Sequence, residues 1–187
     1  YNVPIFEGKV TEQTRINQSF KTLNFVLSQN PQQVILLSHL GRPEEGRFDK
    51  KYSLKTIMPK LNEKIDHLAF AHIDDDLTAI KEKVILLENT RFLVGEKACS
   101  QKLSKKIAAL GDVFVFDAFS CAHRNHASTF GVSQFAPVSC AGFLLAKEIE
   151  TLDKMLYQKQ SPLVAIVGGA KVSTKFKVLQ NLIEYSD

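Results

Sequence analysis

Apolar positions along this chain follow two periods that take turns. Val34–Leu37, Leu68–Ala71, Val84–Leu87, Val113–Phe116 and Leu163–Val167 are apolar throughout, as strands are when helices cover both of their faces. Between and after them, Thr14–Gln29 (Ile16, Phe20, Leu23, Leu27), Ser53–Lys64, Ser100–Leu110, Phe143–Leu156 and Lys171–Tyr185 carry apolar residues at helical spacing. Ser53 and Ser100 stand where a hydroxyl can accept a free backbone N–H at a helix start. The alternation predicts an α/β fold, a doubly wound parallel sheet flanked by helices and Rossmann-like, with right-handed crossovers. After Ala141-Gly142, the run FLLAKEIETLDKML reads as a long amphipathic helix, followed by polar YQKQSP and a fresh apolar run. The expected division is residues 1–141 as one complete unit, 142–160 as a connecting helix and linker, and 161–187 as the incomplete start of a second α/β unit. Tyr1 lies in what reads as a strand-to-loop exit, so the chain is expected to be a piece of a longer one.

The 187 residues, 44% hydrophobic, can bury one good core or two small ones. Net charge is +4 and the pI about 8.9, but the 19 lysines are scattered with no block of five or six like charges. With no recognisable binding motif, this argues against a nucleic-acid partner. Three cysteines, Cys99, Cys121 and Cys140, do not make a disulfide framework and suit a reducing, cytoplasmic setting. No apolar stretch approaches the roughly 18–20 residues of a membrane span, and no signal-like segment is present.

The informative chemistry is where the cations fall. Of five arginines, Arg42 follows one apolar run in SHLGRP, Arg91 follows another in ENTRF, and Arg124 lies in DAFSCAHRNHAS after a third; Arg15 opens the first helical stretch. Loops leaving the same edge of a parallel sheet would bring these groups together, at the edge where such folds bind ligands. A guanidinium fork suits phosphate and carboxylate, so a small, multiply charged anion is the expected ligand. Arg47, in EEGRFDKK, has acidic neighbours and is expected to be solvated. Solvated loop arginines would be the plain alternative for Arg42 and Arg91. Cys121, His123 and His126 could contribute to a zinc site, but a fourth ligand is missing nearby; the favoured reading has His123 and His126 buried and holding the loop by hydrogen bonds. In VGGAKVSTK, Gly168 and Gly169 allow close backbone approach to an anion at a helix start. Lys171 and Lys175 are four apart on one helix face and oppose the usual preference for acids there.

Taken in order, NVPI, TRI, SHLGRP, YSL, LLENTRF, GE, LGDVFV, DAFSCAHRNHAST, AGFLLAKEIE and VAIVGGAKVSTK resemble the phosphoglycerate kinase family over essentially the whole chain. The resemblance implies the acid-substrate domain, the interdomain helix and the start of a nucleotide-binding domain. It implies that Asn2, Arg15, His39, Arg42, Arg91 and Arg124 bind 3-phosphoglycerate or 1,3-bisphosphoglycerate. Arg15 would face the reacting carboxyl end and the other side chains from His39 onward the 3-phosphate. Lys171 would stabilise the phosphoryl group in flight, with Lys175, Gly168 and Gly169 on nucleotide phosphate. Catalytic roles thus fall to Arg15 and Lys171, with ATP or ADP as co-substrate, Mg entering with the nucleotide and no metal site in the protein itself. A cytoplasmic monomer without nucleic-acid or membrane partners is implied, and these 187 residues alone are expected to be inactive. The chain departs from the family at Ser120-Cys121, where Gly-Thr is common, and at Phe116, which is often polar; the aspartate usually two residues before Asn2 would precede Tyr1. The competing reading is a non-catalytic anion-binding α/β protein.

Overall fold

The computed structural model describes residues 1–158, 161–164, 166–167 and 176–185. They divide into two compact units, Tyr1–Leu145 and Ala146–Asp187. The first unit opens with a small antiparallel hairpin, β1 (Ile5–Phe6) and β2 (Lys9–Val10), closed through Glu7 and Gly8 at φ 47° and 73°. Helix α1 (Thr14–Ser28) follows and buries Ile16, Phe20 and Leu23, one turn apart on a single face.

Three of the uniformly apolar runs form a parallel ladder. β5 (Val84–Leu87) lies between β3 (Val34–Leu36) and β4 (Leu68–Ala71), with Val84 opposite both Val34 and Leu68. All four β5 residues are buried, as a two-faced strand requires. Ile16, Phe20, Leu54, Ile57, Leu61 and Leu86 share the main core. A second parallel pair joins β6 (Val113–Phe116) to β7 (Val138–Ala141), after helix α3 (Gln101–Ala108). The α/β class expected from the alternation is therefore present, with strands parallel outside the opening hairpin.

Local differences have physical reasons. Ser53 caps as expected, its hydroxyl accepting from the Lys55 N–H at 3.2 Å. The stretch behind it divides into a 3₁₀ turn, Leu54–Ile57, and a short α2 (Met58–Asn62) with Pro59 in its first turn, the place where a residue lacking an N–H is tolerated. Ser100 does not cap α3 with its side chain; its carbonyl instead accepts from the Ser104 N–H and hydroxyl at 2.8 and 2.9 Å. The described residues of the Leu163–Val167 run form no strand, and Val164 and Ile166 are 73% and 93% exposed. Apolarity alone cannot supply a ladder partner. In the second unit, α4 (Phe143–Tyr157), which starts in the first, continues, and α5 (Phe176–Tyr185) follows.

The start of α4 is tied to the end of β6. Asp117 Oδ1 accepts from the Leu144 and Leu145 N–H groups at 2.8 and 3.0 Å, and its Oδ2 accepts from Thr22 Oγ1 of α1 at 2.6 Å. Thr22 Oγ1 in turn accepts from the Phe143 N–H at 3.0 Å. Gly142 makes this possible, because a Cβ there would sit 2.3 Å from the Asp117 carboxyl. Gly142→Ala is expected to destabilise the protein by about 1–3 kcal/mol through overpacking, read as a lower urea midpoint. An unchanged midpoint would mean the cap is not constrained by Gly142.

A candidate anion-binding site

Three loops that leave the carboxyl ends of parallel strands carry the cations. Ser38–Pro43 follows β3, Glu88–Phe92 follows β5, and Asp117–Ser128 follows β6. A line of hydrogen bonds joins the first two loops to α1. Arg15 donates through Nη1 to the Asn2 carbonyl, Asn2 Oδ1 accepts from the Gly41 N–H at 3.0 Å, and the Gly41 carbonyl accepts from Arg91 Nη1. Gly41 sits at φ 62°, and a Cβ there would lie 2.3 Å from the Tyr52 ring. Only glycine fits without displacing that ring.

Buried Asn89 fixes the turn that presents Arg91. Its Nδ2 donates to the Leu40 and Tyr52 carbonyls, both at 2.8 Å, while Oδ1 accepts from the Arg91 N–H at 3.0 Å. Arg91 is only 4% exposed. Its pKa is lowered by burial and then by Arg124, with Arg42 adding a smaller push, so the three guanidiniums feel one another. Arg42 and Arg15 are exposed and Arg124 is half-buried. The Nε atoms of Arg91 and Arg124 are buried with no hydrogen-bond partner. A buried, unpaired donor on a cation is costly, and Arg91 and Arg124 each carry one.

The histidines respond to the same field. His39 has its pKa lowered to about 3, first by burial and then by Arg91, with the chain's amino group, Arg124 and His126 adding to it. It is neutral at pH 7. The pKa of His126 is lowered by burial and then by Arg91 and Arg124, so its Nδ1, 3.8 Å from Glu96 Oε1, makes a polar contact there instead of a full ion pair. Neither histidine is buried as expected: His126 is half-buried, its backbone N–H donating to Thr129 Oγ1 at 3.2 Å, and His123 is exposed. Among the described residues no three His, Cys, Asp or Glu side chains gather as a metal set; Cys121, His123 and His126 are not brought together as one. Arg47 is exposed and pairs loosely with Glu44 at 3.7 Å, apart from the network.

Sequence reasoning missed two of the residues that hold these loops, Thr129 and Glu96. Glu96 is 1% exposed, yet in sequence it looks like any loop glutamate beside a lysine. Gly168, Gly169, Lys171 and Lys175 lie outside the described residues.

The family model described as phosphoglycerate kinase matches residues 1–187. The chain is 48% identical over 186 residues to a phosphoglycerate kinase of Francisella tularensis subsp. holarctica, covering 98% of this chain and 47% of that protein. A relative of the same name from Baumannia cicadellinicola is 46% identical over 189 residues, covering 100% and 49%. The structure of phosphoglycerate kinase from Coxiella burnetii superposes with a TM-score of 0.89 at 44% identity, covering all of this chain and 48% of the other. The corresponding crystal structure from Pyrococcus horikoshii OT3 gives 0.84 at 30% identity, with 100% and 49% covered. The chain spans about half the length of the curated relatives it matches.

The depressed basicity of His39 gives a measurable expectation. Because its folded pKa of about 3 lies below the ordinary 6.5, it contributes stability that is present above pH 6.5 and lost as pH falls toward 3. Inorganic phosphate bound between the guanidiniums would offset their field and raise that pKa. The His39 ring resonances, followed by NMR, should not titrate between pH 5 and 8 in the free protein, and their midpoint should rise with saturating phosphate. A free-protein midpoint near 6.5 would show that the cations do not converge on His39.

Proposed function

The chain belongs to the phosphoglycerate kinase family, and we propose on that footing that it provides the acid-substrate half of an enzyme catalysing reversible phosphoryl transfer between 1,3-bisphosphoglycerate and ADP, giving 3-phosphoglycerate and ATP. The observation that carries this reading is the pair of buried, unpartnered Nε atoms on Arg91 and Arg124. They ask for an oxygen-rich anion, and the 3-phosphate is one. Arg42 reaches the same anion from solvent, and neutral His39 donates one ring N–H to it. Arg15, held at the Asn2 carbonyl, lies at the other end of the hydrogen-bonded line and suits the reacting carboxyl or acyl phosphate. Asn2 both anchors Arg15 and offers its remaining polar atoms to substrate.

In this reading residues 1–141 bind the acid, 142–160 connect, and 161–187 open the nucleotide domain, where Gly168, Gly169 and Lys175 approach nucleotide phosphate and Lys171 meets the transferring group. Such transfers rest on alignment and charge neutralisation more than on covalent work by the protein. No strong base is needed: the nucleophile is a phosphate oxygen in one direction and a carboxylate in the other. Magnesium, which in such reactions neutralises phosphate charge, would enter with the nucleotide. No acidic cluster among the described residues is gathered to hold it, and none of the roles above depends on it. No helix among the described residues is long and apolar enough to cross a membrane. A cytoplasmic monomer without nucleic-acid or membrane partners is part of the same proposal. A purely anion-binding protein would use the same arginines but would leave Lys171 and Lys175 without a purpose.

Charge-assisted hydrogen bonds contribute about 1.5–3 kcal/mol each. Arg124→Ala in the full-length enzyme is therefore expected to weaken 3-phosphoglycerate binding about ten-fold or more, with Arg47→Ala near neutral in the same calorimetric titration. Equal losses would mean general electrostatics instead of a site. For the chemical step, Lys171→Ala should lower kcat by about 10³–10⁵ while nucleotide affinity changes far less. An intact kcat with raised KM would remove Lys171 from the transition state.

A further inference from the structure

A buried carboxylate sits behind the arginines without touching the anion they await. Glu96 lies in the segment after the Arg91 turn and is 1% exposed. Its side chain accepts from the Ser128 N–H at 3.0 Å and from the Ser128 hydroxyl, and its own N–H donates to the carbonyl of Leu93, which ends the Arg91 turn, at 3.2 Å. The Glu96 carbonyl accepts from the Ala127 N–H at 2.9 Å. Ala127 and Ser128 begin the π-helical turn Ala127–Gly131. Within that turn Thr129 Oγ1 donates to the Arg124 carbonyl at 2.7 Å and accepts from the His126 N–H at 3.2 Å. Glu96 thus joins the end of the Arg91 turn, through its N–H, to the turn that holds Arg124, through its carboxylate and carbonyl.

Building on the acid-substrate reading above, we propose that Glu96 is a positioning residue that sets the spacing of Arg91 and Arg124 for the phosphate end of the acid. Three things distinguish this from ordinary burial of an acid. A fully buried carboxylate is rare without a partner, and here the two segments it joins carry the arginines with orphaned Nε atoms. Its oxygens are committed to the N–H and hydroxyl of Ser128 in the Arg124 loop, so it does not compete with the substrate for the guanidiniums. Its negative charge also acts on Arg91, partly offsetting the repulsion from Arg124 and Arg42.

The test is a double-mutant cycle in the full-length enzyme, using Glu96→Gln, which keeps the shape but loses the charge and one acceptor. Glu96→Gln should raise the KM for 3-phosphoglycerate about ten-fold and leave the KM for ATP within about two-fold. In an Arg124→Ala background the same change should have almost no further effect on the acid, because the guanidinium it positions is gone. Ser128→Ala removes one of the same contacts from the other side and should give a smaller loss with the same split. It stands in for the cycle if Glu96→Gln does not fold. Equal losses for both substrates, or additive losses in the Arg124→Ala background, would overturn the proposal and leave Glu96 as fold stabilisation only. If Arg124→Ala alone leaves 3-phosphoglycerate affinity unchanged, the acid-site reading itself fails, which is a separate result.

Discussion

The site depends on keeping like charges close together without neutralising them. Burial lowers the basicity of Arg91, and Arg124 and Arg42 lie near enough to lower it further; burial, Arg91, Arg124 and His126 together keep His39 neutral. Unit charges a few ångströms apart near a protein surface repel by a few kcal/mol, and burying guanidiniums adds desolvation to that. The folded chain tolerates this cluster because the rest of the structure holds it, and an anion of two or more charges would relieve it. The same strain that works against stability in the free protein is what favours binding.

How the cluster is held follows from that constraint. A carboxylate placed directly on Arg91 or Arg124 would cancel the charge and occupy the donors. Neutral acceptors do the nearest work instead: the Gly41 carbonyl takes Arg91 Nη1, the Asn2 carbonyl takes Arg15, and Asn89 spends its amide on the Leu40 and Tyr52 carbonyls. Carboxylates stand behind, each committed to backbone donors. Glu88 accepts from the Leu54 and Asn89 N–H groups, Glu45 from Gly95 and Lys97, and Asp117 from Leu144 and Leu145. These acids fix loop geometry and leave the arginine forks open.

That arrangement also explains what could be read from the sequence. Strands buried on both faces announce themselves, so Val84–Leu87 and Leu68–Ala71 were legible to the residue. The hairpin Ile5–Val10 has two residues per strand, too few for a period, and Val138–Ala141 contains serine and cysteine where an apolar run would be expected. Arg42, Arg91 and Arg124 were legible because each sits in a loop after an apolar run. Arg42 and Arg91 leave one parallel ladder and Arg124 leaves a second, β6 with β7. Glu96 was not legible, because what makes it matter is burial and a partner far along the chain, Ser128, and neither leaves a mark in local composition. Ser100 shows the opposite failure: the right residue at a helix start, whose hydroxyl is not used as the cap.

The arginines are also graded by exposure, and this separates two jobs that charge alone would blur. Arg91 and Arg124, with buried Nε atoms, have few accessible positions, so they can dictate the distance and angle at which a tetrahedral phosphate is accepted. Arg42 and Arg15 are exposed, and an exposed cation contributes mainly to attraction and to rate of encounter, an effect that salt screens. Arg15 differs from Arg42 in being pinned to the Asn2 carbonyl, which keeps an exposed group in a defined place. In the proposed site, Arg91 and Arg124 would select the ligand and Arg42 and Arg15 would gather it. Added salt should therefore act chiefly on capture, and changes behind the buried pair on fit.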